Sequence, residues 1–194
     1  VSWNHNTHYH RLVLEAIPGH CARALDAGCG RGELTRKLAP HCREVVGIDS
    51  DLPSLTHAKA FTANPANVTF WHGDIMREPL PSESFDLVVA VATLHHLPLR
   101  PALERFRDLL RSKGVLVIVG LYRSATLVDY AASAAALPVS WTVRLVVGER
   151  LVGAPIQDPT ETLATIRTQC QTLLPGSILR RRFFFRYTAI WRKP

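Results

Sequence analysis

The chain has no long apolar run. Although 47 % of its 194 residues are hydrophobic, no stretch approaches the ~18 residues that cross a bilayer, so no membrane span is expected. Its start, Val1-Ser2-Trp3-Asn4-His5, does not place basic residues ahead of an apolar segment. No secretory leader is therefore expected, and a cytoplasmic location is the default. Cysteine is sparse. Cys21, Cys29, Cys42 and Cys170 form no Cys-x-x-Cys pair and no metal-ligand spacing, which leaves buried, reduced thiols as the expectation. Concentrated charge is missing too. The net charge of +7 is carried mainly by scattered arginines, with Arg180-Arg181-Arg182 as the one run. This favours a solvated Arg-rich surface over a nucleic-acid groove. No internal repeat, low-complexity tract or composition break divides the chain, so residues 1–194 read as one domain with a sizeable core.

What is present centres on Ala24-Leu25-Asp26-Ala27-Gly28-Cys29-Gly30-Arg31-Gly32-Glu33-Leu34. A strand-like run from Ala22 to Leu25 ends in an acid, a glycine-rich turn follows, and a helical pattern starts at Glu33. Strand, bare turn and helix N-terminus together form a nucleotide-type cradle. The spacing is Gly-x-Gly-x-Gly, with Glu33 where a dinucleotide fingerprint has its third glycine. An acid there repels a pyrophosphate and suits a ligand carrying positive charge.

The following segments alternate strand and helix. Glu44 to Asp49 reads as a buried parallel strand ending in an acid. Asp49 lies 21 positions after Gly28, near the ~20-residue offset at which a carboxylate meets ribose hydroxyls; the competing account is a cap on a Pro53–Ala60 helix. Asn67 to Ile75 is a third strand ending in Gly73-Asp74, with a simple turn acid as the alternative for Asp74. Ser84 to Ala92 runs into Thr93-Leu94-His95-His96-Leu97-Pro98. His96 could orient a substrate or accept its proton, because imidazole titrates near neutrality, and a structural role is the alternative. Arg100 to Leu110 places Leu103, Phe106 and Leu110 on one helical face, with Gly114 just past its end. Val115 to Gly120 is a fifth strand. This alternation gives a doubly wound parallel sheet. Asp26, Asp49, Asp74 and His95 then share the strands' carboxyl ends, where such sheets bind ligands.

The flanks are less regular. His5, His8, Tyr9 and His10 precede a helical pattern (Leu12, Leu14, Ile17) closed by Pro18-Gly19. Without a carboxylate or cysteine beside these histidines, no metal site is expected. Between Leu121 and Pro159 lie a helix-prone Ala131–Ala136, an apolar Trp141–Val147 and a Gly153-Ala154-Pro155 loop. A helix from Pro159 through Leu174 and alternating residues from Ile178 to Trp191 complete the chain, with Arg180, Arg182 and Arg186 mostly on one side.

The stretch Leu25-Asp26-Ala27-Gly28-Cys29-Gly30-Arg31-Gly32 resembles motif I of class I S-adenosylmethionine (SAM) methyltransferases. Phe85-Asp86 entering and His95-His96 leaving the fourth strand are similar to that family as well. The resemblance covers roughly residues 22–120. It implies an α/β, Rossmann-like, doubly wound and mostly parallel seven-stranded sheet with helices on both faces and an antiparallel C-terminal edge strand. It also implies an N-terminal lid helix (1–20) and a substrate-cap insertion (121–159), which Tyr122 and Trp141 could line. The resemblance nominates Asp26, Gly28, Cys29, Gly30, Gly32, Asp49, Ser50, Asp74, Ile75, Val91 and Tyr9 for SAM. Asp26 would answer the ammonium, Asp49 the ribose, and Asp74 with the Ile75 amide the adenine. His95 and His96 are the candidates beside the reacting methyl group.

The expected activity is methyl transfer from SAM to a small-molecule oxygen, nitrogen or carbon, releasing S-adenosylhomocysteine (SAH), by a monomer or homodimer. The Asn/Asp-Pro-Pro-Tyr/Phe signature of many amino-group nucleic-acid methyltransferases is absent after the fourth strand. An RNA methyltransferase and a non-catalytic SAM-binding module stay open as alternatives. A nicotinamide oxidoreductase is disfavoured by the glycine spacing and because Tyr122, Tyr130 and Tyr187 have no Lys four residues on.

Overall fold

The computed structural model describes residues 9–61, 63–124, 158–182 and 185–194. In chain order the elements are α1 (His10–Glu15), β1 (Arg23–Ala27), α2 (Glu33–Leu38), β2 (Glu44–Asp49), α3 (Leu52–Ala60), β3 (Val68–His72), β4 (Phe85–Val91), α4 (Leu99–Leu109), β5 (Leu110–Leu121), α5 (Leu163–Leu173), β6 (Ile178–Arg182) and β7 (Arg186–Arg192). The strands form one seven-stranded sheet in the order β3-β2-β1-β4-β5-β7-β6. The first five of these are mutually parallel. The antiparallel partner expected at the C-terminal edge is a β6–β7 pair, with β7 running against β5.

Burial explains the pattern. β4, Phe-Asp-Leu-Val-Val-Ala-Val, is buried along nearly its whole length, as a strand covered on both faces must be. Leu25, Val88, Ala90, Leu116 and Ile118 face α4 and α5, whose Leu103, Phe106, Ile166 and Leu173 join the same cluster. Alternate residues Ala24, Leu87, Val89, Val115 and Val117 face the other way, onto Val13 of α1 and Leu34 and Leu38 of α2. One-residue alternation therefore feeds two cores. The amino ends of the strands are held by Asp86, whose carboxylate accepts the backbone N–H groups of Ala22 and Arg23, both at 2.8 Å, and pairs with Arg111.

Two expectations change. The helix expected to reach Leu110 stops at Leu109, and β5 starts at once rather than at Val115. Leu110 is fully buried and pairs with Phe85 in extended conformation, so packing ends the helix one residue early. Gly114 therefore lies inside the strand. Cys21 and Cys42, expected as reduced thiols, form a disulfide. The register pairs Arg23 with Glu44, the first residues of β1 and β2, so the residues two positions before each strand are neighbours at the amino end of the sheet, Cα atoms 4.7 Å apart. Cys29 and Cys170 are the free, buried thiols.

Of the expected lid and cap, residues 1–8 and 125–157 lie outside the described residues. His5, His8, Ala131–Ala136 and Trp141–Val147 are among them.

Candidate active site

The site is built where β1, β2 and β4 end together. At the end of β1 the chain turns through Gly28, whose φ of +74° few side chains adopt. A Cβ at Gly28 would also overlap the Thr93 side chain. The Gly28 and Cys29 amides donate to the Ile48 carbonyl at 2.8 and 3.0 Å, fastening the turn to β2. Gly30 is different: a Cβ there would meet nothing within 4 Å. The backbone of this residue borders open space, as a cradle for a closely approaching ligand requires. Gly32 caps α2 in a left-handed conformation.

Asp49 leaves the end of β2 and grips this turn. One carboxylate oxygen accepts the Gly30 N–H at 2.6 Å and the other the Asp51 N–H at 2.8 Å. Each oxygen retains an acceptor position for a further donor. The cap of α3 is Asp51, which accepts from the Ser54 N–H at 3.0 Å, so Asp49 is released from the capping role weighed above. Ser50 between them is exposed.

Asp26 lies beneath the turn, 2 % exposed, and accepts the Thr35 hydroxyl at 2.7 Å. Burial raises its pKa to about 7; the Thr35 hydrogen bond opposes this and the Asp49 charge adds to it. Cys29 packs against Gly47 of β2, and burial pushes its thiol far above the usual range. It is a core residue of the cradle rather than an exposed nucleophile.

Asp74 follows β3 by two residues. Its Oδ1 accepts the Met76 N–H at 2.9 Å and its Oδ2 lies 3.4 Å from Arg77 Nε. It thus organises a turn while half-exposed. Ile75 is 5 % exposed, with its side chain in the core and its carbonyl accepting from Arg105.

On the other side of the cradle stand Val91, the Leu94–His96 turn and Tyr9. Val91 packs with the α1 cluster that includes Tyr9. His95 is half-buried, and its Nδ1 has no hydrogen-bond partner among the described residues. Burial, then the nearby His96 and Arg186 charges, lowers its pKa to about 4, so at neutral pH it is an uncharged imidazole. His96 is exposed, its ring centroid 3.9 Å from that of His95. Tyr9 is 6 % exposed, and burial raises its pKa against the opposing charges of Arg186 and Arg182. His10 turns away, its Nδ1 3.1 Å from Lys37 Nζ.

Thr35 is not singled out by the sequence, and Arg186 is placed on one side of the C-terminal strands without a role in the site. Thr35 carried no signal beyond lying nine residues after Asp26. Arg186 did carry one, since it belongs to the alternating arginines of the C-terminal strands.

The residues fit SAM: open space lies over Gly30, an acid with spare acceptor positions stands beside it, and acids line the β1–β3 ends. Sheet order and cradle together define the class I SAM-dependent methyltransferase architecture.

Residues 25–118 match the family model described as "Methyltransferase domain". An uncharacterized methyltransferase of Mycobacterium tuberculosis is 34 % identical over 194 residues, covering 99 % of this chain and 98 % of that protein. Nodulation protein S of Rhizobium tropici is 32 % identical over 90 residues, 46 % of this chain and 37 % of its own length. Among solved structures, the N-methyltransferase NodS of Bradyrhizobium japonicum in complex with SAH superposes with a TM-score of 0.66 at 21 % identity, covering 97 % of this chain and 87 % of NodS. The PH0226 protein of Pyrococcus horikoshii superposes with a TM-score of 0.70 at 16 % identity, covering 96 % and 88 %. The chain belongs to the SAM-dependent methyltransferase family and is a methyltransferase.

Proposed function

We propose that the protein methylates a small molecule at oxygen, nitrogen or carbon, acting as a monomer or homodimer. The observation that carries this reading is the shape of the acceptor side. Among the described residues, Tyr9, His95 and His96 stand beyond the cradle with the paired arginines Arg182 and Arg186 rather than an extended basic track, and Thr93-Leu94-His95-His96 stands where amino-group nucleic-acid enzymes carry their Pro-Pro signature. When bound, SAM would supply an electrophilic methyl group on a sulfonium for the acceptor's lone pair, with SAH as the leaving product.

In this reading the chain aligns and desolvates. The Gly28–Gly32 backbone admits the methionine portion, flanked by Cys29, with Asp26 behind it for the ammonium. Asp49, with Ser50 beside it, holds the ribose hydroxyls through the acceptor positions left free by Gly30 and Asp51. Asp74 and the Ile75 amide take the adenine edge. Tyr9 and Val91 wall off water from the transfer path. His95, neutral, borders the acceptor, and the more exposed His96 receives a proton where the acceptor must lose one.

Calorimetric titration with SAM and SAH, with NADH as control, tests the cofactor site. Both adenosyl ligands bind saturably and NADH does not. Asp49→Ala weakens SAH by roughly tenfold to a hundredfold, the worth of hydrogen bonds to a charged group. Normal SAH affinity in that variant would remove Asp49 from the site. His96→Ala keeps SAH affinity and lowers turnover in an SAH-release assay over a panel of small acceptors. Unchanged turnover assigns His96 a structural role.

A further inference from the structure

One charged side chain of the site has no role in this scheme. Arg186 is the first residue of β7 and only 8 % exposed, yet its Nε and Nη1 are buried without a hydrogen-bond partner among the described residues. A buried guanidinium with unmet donors is costly. The register makes it worse. Arg186 stands opposite Arg182 of β6, so the two cations leave the same face of the sheet, and like charges directly opposite each other repel. Arg182 is partly occupied, its Nε donating to the Thr188 hydroxyl at 3.1 Å. Arg186 also pairs in register with Leu121, the last residue of β5. It therefore sits at the same sheet end as the glycine cradle. Its charge is felt by His95 after β4, and with that of Arg182 by Tyr9 before α1.

The sheet order divides this end electrically. Asp26, Asp49 and Asp74 close β1, β2 and β3, whereas Arg186 and Arg182 stand three and four strands from β1 on the opposite side, beyond β4 and β5. The acidic half suits a cationic donor and its hydroxyls. The basic half is built for the opposite sign.

We propose that Arg186, supported by Arg182, anchors an oxyanion (carboxylate or phosphate) of the methyl acceptor, placing the rest of that acceptor against Tyr9 and His95. The proposal rests on the methyl-transfer reading above and narrows its substrate class to small anionic molecules. The oxyanion satisfies the orphaned donors through charge-assisted hydrogen bonds and screens Arg186 from Arg182. Arg186 is then a specificity-determining residue, with no part in cofactor binding.

The test titrates sodium benzoate and, separately, inorganic phosphate into the SAH-saturated protein, with benzamide as the neutral control. Calorimetry and the NMR resonance of the Arg186 Nε–H report binding. The expected result is saturable binding of at least one anion with a shift of that resonance, and no binding of benzamide. Which anion binds distinguishes a carboxylate from a phosphate acceptor. Arg186→Met weakens the anion at least tenfold and leaves SAH affinity within twofold, whereas Arg186→Lys retains part of the anion affinity. Three results overturn the proposal: no anion binding, anion binding indifferent to Arg186→Met, or an equal loss of SAH, which would assign Arg186 to the cofactor's own carboxylate. If Arg186→Met does not fold, Arg186→Lys and the wild-type resonance decide. If SAH does not bind the wild type, the methyl-transfer reading fails by itself, and the same titrations on the ligand-free protein judge Arg186.

Discussion

A carboxyl group at 2 % exposure must be paired with a cation or hold its proton. Asp26 is hydrogen-bonded by Thr35, and burial still lifts its pKa to about 7. The folded protein therefore binds a proton that the unfolded chain releases near pH 4. Asp26 favours folding most fully at acid pH, and that contribution falls as pH rises from about 4 towards 7, by up to about 1.4 kcal/mol per pH unit. Asp26→Asn keeps an acceptor for Thr35 and removes the titration. In urea unfolding at pH 5, 7 and 8.5, the variant should gain on the wild type as pH rises. A constant difference across that range would mean that Asp26 is ionised throughout. His95 has the opposite sign: its pKa of about 4 lies below the ordinary value, so stability is lost as pH falls through the range 6.5 to 4. His95→Gln should flatten that acid limb.

Among the elements, the β1–turn–α2 unit carries most of the cofactor chemistry, and it is also the unit the disulfide encloses. Cys21 and Cys42 bracket β1, the glycine turn and α2. Closing a loop of this length stabilises a fold by about 3 kcal/mol in the chain-entropy account. For a domain of this size that corresponds to a fall in Tm of roughly 6–12 °C on reduction. Thermal melts with and without a phosphine reductant, and of Cys21→Ser, should agree on that shift. Thiol titration of the denatured protein should find Cys29 and Cys170 alone before reduction. Four thiols in protein isolated from its native cells would restore the reduced state expected from the sequence.

The disulfide was hidden from a sequence reading because it depends on register. Two cysteines 21 positions apart look unrelated until Arg23 is known to lie beside Glu44. The α4–β5 junction was hidden for a similar reason: Leu110 fits a helical face as well as a strand, and only its pairing with Phe85 decides. The strands themselves were legible, because double-sided burial demands runs such as Leu87-Val88-Val89-Ala90. So was the line of acids at their ends. What each acid touches was not. Asp49 and Asp51 differ by two positions, and only the backbone distinguishes the residue gripping the cradle from the helix cap.

At the scale of the whole molecule, the net charge of +7 raises the question of a nucleic-acid partner. Among the described residues, several of these charges are neutralised locally. Arg11, Arg77, Arg100 and Arg107 each pair with a neighbouring carboxylate, and Lys193 pairs with Glu83. Such exposed pairs add little stability, but they break up the continuous positive field that a phosphate backbone requires. Among the described residues, Arg186, inside the site, has two buried guanidinium nitrogens without a hydrogen-bond partner. A nucleic-acid enzyme neutralising several phosphates loses activity steeply with salt, since log K falls by about 0.7–0.9 per phosphate per decade of salt. One oxyanion on one partly desolvated arginine gives a slope of about one at most. The check is to measure kcat/KM for the best small acceptor between 50 and 500 mM salt, in the wild type and in Arg186→Lys. A shallow slope, with an affinity loss in the variant at every salt concentration, places recognition at a single buried contact. A slope several times steeper, unchanged by Arg186→Lys, would move recognition to the surface and favour RNA as the acceptor.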